Sequence, residues 1–292
     1  MNLLVMALRY SGIAWLWRET VQRRKVTLLL FHDISAADAL RNFDYLKRHY
    51  NIIGLGDYLD ALGNGGSLPR KAMVITFDDG HIGNYDLLPV IRSAGIPVAI
   101  FLCSSVVGTH RHFWFRHSAE VMHKTEELKS MTNNQRIETL KEYGYGQEDE
   151  YPDAQALQGV QIESMKPWVD FQSHTRFHPI LPQCDDTTAH DEIAGSRAEL
   201  EEKYGIGVYA LAYPNGDYSQ RDIDMARAAG YRCGVTVDAG YNDMTSDPYR
   251  LRRLSVNDAT TTTELMVKAS GCYALVKNIL RRPAYGFKKN RE

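Results

Sequence analysis

Cysteine is scarce in this chain of 292 residues, and no two of its four cysteines stand close together. Cys103, Cys184, Cys233 and Cys272 form no C-x-x-C pair, which excludes a zinc ribbon and gives no sign of a disulfide framework. Free thiols in a reducing compartment are the expectation that follows. An excess of charge is missing as well. The 34 Lys and Arg stand against 36 Asp and Glu, which argues against a dedicated nucleic-acid binder that needs a broad basic face. The sequence has no repeat and no low-complexity tract. Nor does it have an apolar run long enough to predict a membrane span. Its most apolar stretch, MNLLVMALRYSGIAWLW, is interrupted by Arg9, has no basic region before it and is followed by no small-residue cleavage site. At helical spacing Leu4, Leu8 and Trp15 share one stripe, with Arg9 and Arg18 elsewhere, which suits a helix lying on the domain or on a bilayer surface. The carboxyl end, YALVKNILRRPAYGFKKNRE, is basic and partly amphipathic. It suits a packing helix with a solvated tail, or contact with anionic lipid. Histidine also runs out early, for none follows His190.

What the sequence does carry is a regular alternation. Its length admits one large domain, such as an α/β barrel, or two ordinary ones. Short apolar runs recur: VTLLLF at 26–31, NIIGL at 51–55, AMVITF at 72–77, PVAIFLC at 97–103, WVDFQS at 168–173, VYALAYP at 208–214, RCGVTVD at 232–238 and RLRRLSV at 250–256. Helix-like stretches such as AADALRNFDYLKRHY and AHDEIAGSRAELEEKYG lie between many of them. This alternation predicts parallel strands buried on both faces, and seven or eight units favour a closed or nearly closed β/α barrel over an open sheet. Residues 108–166 show no strong strand and read as a helical insertion shaping one wall of a cleft. The expected division is a helical segment over 1–25, the barrel over 26–280 and a basic tail over 281–292. In such a barrel, chemistry belongs at the carboxyl ends of the strands. His32-Asp33, Asp78-Asp79-Gly80, His174 with His178, and Asn215-Gly216-Asp217 all fall just past predicted strand ends.

The stretch VITFDDGH, residues 74–81, places two carboxylates side by side. Neighbours on a strand point to opposite faces, so both can serve one site only if the strand ends at Phe77 and the backbone turns at Gly80. Like charges so close resist joint ionisation unless a cation sits between them. In QSHTRFHP, His174 and His178 are spaced to reach one ion, although such a pair alone is a common structural accident. With one aspartate they form a two-histidine, one-carboxylate set suited to zinc or a similar divalent ion, and the second aspartate is left free as a base.

These residues resemble the polysaccharide deacetylases of the NodB-homology type, carbohydrate esterase family 4. There a T-F-D-D-G segment carries a base aspartate followed by a metal-ligating one, which fall here on Asp78 and Asp79. An H-S/T-x-x-H segment carries two metal histidines, matching HTRFH and so His174 and His178. The resemblance spans most of the chain and implies an α/β fold, a distorted (β/α) barrel of about seven parallel strands. Two departures stand out. Where many members read R-x-P-Y this chain reads AYPN, with Ala212 at the arginine's place and Asn215 at the tyrosine's. That form resembles a subgroup with an arginine near the last strand, and LRRLSV offers Arg253, either as a brace for the base aspartate or as an exposed strand-end arginine. The late L-x-H histidine, a general acid in many members, is also missing. His32, in LLLFHDIS, resembles the segment of the subgroup that lacks it and is expected to take that role; the alternative is a buried histidine bonded to Asp33 or the backbone.

The resemblance implies metal-assisted removal of an N-acetyl group from an amino sugar in a polysaccharide or glycolipid precursor. One divalent ion, zinc, would be held by Asp79, His174 and His178. Asp78 would be the base and His32 the acid, and the loop of Tyr213, Pro214 and Asn215 would meet the oxyanion through a backbone N–H. Phe113, Trp114, Tyr213 and Tyr218 are candidates for stacking on sugar rings, or core residues. The expected partner is an acylated amino-sugar polymer or a lipid-linked glycan, with no nucleic acid, with peripheral membrane contact admitted and the oligomeric state open. The expected location is the cytoplasm, with peripheral contact at the inner membrane face admitted. Two rival readings remain: a deformylase or small-amide hydrolase of the same fold, and a non-catalytic carbohydrate-binding protein. The retained like-charged pair speaks against the second.

Overall fold

A run such as VTLLLF has no polar face to offer water, so as a strand it is stable only with both faces covered. The computed structural model describes residues 3–281 and folds the apolar runs as eight strands: β1 (Val26–Phe31), β2 (Asn51–Ile52), β3 (Ala72–Phe77), β4 (Val98–Leu102), β5 (Val169–Ser173), β6 (Ala210–Ala212), β7 (Cys233–Ala239) and β8 (Leu251–Ser255). Every residue of β1, β3 and β4 is buried. The strands hydrogen-bond in the order β1-β8-β7-β6-β5-β4-β3-β2, and β1 also pairs with β3. The sheet therefore closes into a parallel barrel of seven strands, with β2 flanking β3. β1 is the closing strand: Val26 lies opposite Ala72 and Phe31 opposite Phe77 on one side, and Leu28 opposite Arg253 on the other. Two runs yield less strand than their apolar length predicts. The run at 51–55 stops after two residues because Gly54 already caps the helix Leu55–Asn64, its N–H donating to Asp57 at 2.9 Å. At β6 the ladder ends before Pro214, which has no N–H to give.

The chain divides into two compact units. The first comprises the described residues up to 77, residues 86–99, and those from 235 onward. In it the helix Ala36–His49 starts at Ser35, whose hydroxyl accepts from Asp38 N–H, and buries Ala39, Phe43 and Leu46 along one stripe. The single amino-terminal helix suggested by the sequence is instead two, Leu3–Tyr10 and Ile13–Thr20. Gly12, at φ +77°, breaks it. Val5, Leu8 and Ala14 pack with Val267 and Cys272, whereas Trp15 parts from Leu8 and is 60% exposed. Residues 282–292 of the expected tail lie outside the described residues.

The second unit comprises residues 78–85 and 100–234. Its stretch 108–166 is helical, with α-helices Trp114–His117, Thr125–Lys129, Asn133–Glu142 and Gly159–Met165. They bring a core of their own: Trp114, Met122, Leu128, Leu140 and Tyr145 cluster with Ile180. All four cysteines are buried and unbridged. Among the described residues no helix is long and apolar enough to cross a membrane.

Candidate active site

β3 ends at Phe77, and the two aspartates follow at once. Gly80 does turn the backbone, at φ +70°, but Asp79 shares the left-handed conformation at +71°. Any other residue at position 80 would be strained at this φ, and its Cβ would stand 2.5 Å from Leu102 Cδ2, which would have to shift. The reversal carries both carboxylates inward, where each residue is 3% exposed.

His174 follows the last residue of β5, and its backbone N–H donates to Leu102 O at 2.8 Å. Its Nδ1 lies 2.8 Å from the carbonyl oxygen of Ala212. A carbonyl only accepts, so Nδ1 carries the proton and Nε2 keeps its lone pair for the site. The loop to His178 is fastened from several sides. Glu192 Oε2 accepts from Arg176 N–H at 2.7 Å and Phe177 N–H at 2.9 Å. Thr175 Oγ1 accepts from His178 N–H at 3.2 Å, and Trp114 Nε1 donates to His178 O at 2.7 Å. Among the described residues six that are not glycine have positive φ, and four of these are Asp79, Thr175, His178 and Asn215. Such conformations cost about 1–3 kcal/mol each and persist only where the surroundings impose them. Here they concentrate on the segments that the sequence singled out.

Asp79 Oδ1 stands 3.4 Å from Nε2 of His174 and 3.4 Å from Nε2 of His178. That is too long for a good hydrogen bond, about 2.7–3.2 Å, and this oxygen has no hydrogen-bond partner although it is buried. Two ligands bound to one tetrahedral zinc at about 2.0–2.1 Å stand about 3.3–3.4 Å apart. The three donor atoms, all within 4.8 Å of one another, therefore fit a divalent ion. The other oxygen, Oδ2, is fixed by His81 Nε2 at 3.0 Å. Asp78 Oδ2 lies 3.9 Å from His174 Nε2, beside the donor set.

Burial is the largest influence on Asp79 and opposes its ionisation, but the hydrogen bond from His81 and the charges of His81, His178 and His174 together hold it well below the usual carboxylate range. Burial pushes His178 down to about 3, against the pull of Asp79. The neutral imidazole that results is the form that binds metal. His81 had no role in the sequence reading, and its one signal is its place directly after Gly80. Glu192 had no signal, being one acid among several on a helix-like stretch. Burial drives Glu192 up to about 7, against the two backbone N–H groups that it accepts.

The loop residues Tyr213 and Pro214 are buried, while Asn215 is exposed at φ +56°. Tyr213 stacks on Tyr218 at 4.9 Å and is fully buried, as nearly are Phe113 and Trp114, so these three are core and not sugar platforms. In the first unit His32 is half-buried, and its backbone N–H donates to Asp258 Oδ1 at 3.0 Å, a carboxylate the sequence did not suggest. Arg253 is fully buried on β8 and its Nε donates to Thr236 O at 2.8 Å, which rules out an exposed strand-end arginine.

A parallel (β/α) barrel in which an aspartate and two histidines converge just past strand ends puts a candidate metal-binding set where such barrels carry their chemistry. The polysaccharide deacetylase family model matches residues 65–234, more than half of the chain, and the chain belongs to that family. YxkH of Bacillus subtilis (strain 168), which bears a polysaccharide deacetylase name, is 26% identical over 252 residues, or 82% of this chain and 75% of that protein. The deacetylase PplD of Streptococcus pyogenes, solved with acetate, shares the fold at TM-score 0.63 and 18% identity over 85% of this chain and 99% of its own. IcaB of Ammonifex degensii does so at TM-score 0.63 and 19% identity over 86% and 98%.

Proposed function

We propose that the protein is a metal-dependent deacetylase that removes an N-acetyl group from an amino sugar in a polysaccharide or glycolipid precursor. The observation that carries this reading is the partnerless buried oxygen of Asp79, facing Nε2 of both histidines at tetrahedral-ion spacing with a second buried carboxylate beside it. A divalent ion held by Asp79, His174 and His178, with zinc the natural match to this donor set, supplies Lewis acidity toward a water and an acyl carbonyl. Asp78 is the base that accepts the proton of the attacking water. The backbone N–H of Asn215, in the loop with Tyr213 and Pro214, donates to the oxyanion. The resemblance of their segments assigns protonation of the departing nitrogen to His32 and bracing of the base to Arg253. The four unbridged thiols favour a cytoplasmic setting.

Incubation with N-acetylated and N-formylated amino-sugar oligomers tests the proposal. Acetate should be released, a chelator should stop the release, and metal analysis should find about one divalent ion per chain. Formate release alone would make the protein a deformylase, and activity in metal-free protein would remove the mechanism.

A further inference from the structure

Seven of the sixteen large apolar side chains exposed among the described residues fall within the first 21 positions. Leu3, Met6 and Tyr10 line one face of the helix Leu3–Tyr10, and Ile13, Trp15 and Leu16 stand out from the helix Ile13–Thr20. These helices already have a buried side, anchored by Val5, Leu8 and Ala14. An amphipathic helix buries one face and turns polar residues outward, but here the outward positions are apolar as well. Contiguous exposure of this kind marks an interaction surface.

Charge says what covers it. Segments 1–25 and 272–292 together hold eleven lysines and arginines against two acids, Glu19 and Glu292. They carry nine excess positive charges in a chain whose net charge is −2. The helix Cys272–Arg281, which carries Lys277, packs on both amino-terminal helices. Beside Trp15, a cavity of about 140 Å³ is lined by Arg9, Arg18, Tyr45 and His49. Burial first, and then the charges of Arg18 and Lys71, push His49 below its ordinary range, against the pull of Glu19.

We propose that this face docks on an anionic lipid bilayer, with Tyr10, Trp15 and Leu16 entering the headgroup layer and the neighbouring Arg9, Arg23 and Arg24 lying against lipid phosphates. An apolar face rimmed by basic residues has this affinity, each lysine or arginine near the surface adding about 1 kcal/mol. A second copy of the chain is the poorer occupant, because it would bring two strongly positive faces together. Nucleic acid is poorer too, since its phosphates gain nothing from outward Leu3 and Leu16. The docking is peripheral, and it is independent of the reaction proposed above.

Sedimentation of the full chain with phosphatidylcholine vesicles, with and without phosphatidylglycerol, tests it. Binding should require phosphatidylglycerol and weaken with salt. The double variants Trp15→Glu, Leu16→Glu and Arg23→Glu, Arg24→Glu should each bind roughly tenfold or more weakly while melting as the parent does. If the first variant unfolds, quenching of tryptophan fluorescence by brominated lipid, diminished in Trp15→Phe, reads the same contact. Equal affinity for both vesicle types, variants that bind like the parent, or a dimer that Trp15→Glu, Leu16→Glu dissolves would each overturn the proposal. So would RNA binding that survives that variant in place of vesicle binding.

Discussion

Asp78 and Asp79 are adjacent and equally buried, yet only Asp79 sits equidistant from both histidines. Asp78→Asn should therefore keep the metal and lose about 10²–10⁴-fold in rate, the usual scale for a lost base, whereas Asp79→Asn should lose the metal itself. Elemental analysis beside a rate assay separates the two. His81→Ala removes the partner of Asp79 Oδ2 and should weaken metal affinity by about 10–100-fold, read by titration with a competing chelator. The Asp-Asp pair and the spaced histidines were legible because their spacing is itself the chemistry. His81 was less so, since nothing in a sequence says which carboxylate oxygen will need a second anchor. The burial of Arg253 was undecidable, because one strand position serves either face until the register is known.

The loop between the two histidines depends on a helical element a little further along the chain. Glu192, on the helical turn Asp191–Gly195, holds the N–H groups of Arg176 and Phe177 through one oxygen. Glu192→Ala would strand both donors and should cost about 1–3 kcal/mol or more, with disorder at the histidines; Glu192→Gln keeps the acceptor and should keep the loop. The pair also separates charge from hydrogen bonding. With its pKa raised from 4.5 to about 7 in the fold, Glu192 contributes stability that is fully present below about pH 4.5 and is lost as pH rises through about 7. Denaturant unfolding from pH 4 to 8 should show that decline in the parent and a flatter profile in Glu192→Gln. At this scale the strands were the easiest part to read, because continuous apolar runs admit few other fates. The break at Gly12 was missed because helical periodicity can be carried across a kink on paper, while a left-handed glycine stops the real helix.

For the whole molecule, an ion bound only by the folded chain adds its binding free energy to stability, so a chelator should lower the melting temperature by several degrees or more. Barrel closure was legible only as a count of strand units; the pairing of β1 with both β3 and β8 is a fact of three dimensions. That pairing also sets an order of assembly. Residues 26–31 meet 72–77 across a modest stretch of chain, but Leu28 meets Arg253 only after nearly the whole sequence has been made. Joining such distant partners costs loop entropy before any contact compensates it. During synthesis β1 therefore waits beside β3 with one edge open, and the sheet stays vulnerable to wrong pairing until β8 leaves the ribosome. Pulsed hydrogen exchange during refolding should protect the β1–β3 amides first and those shared with β8 last, and simultaneous protection would mean that closure is concerted.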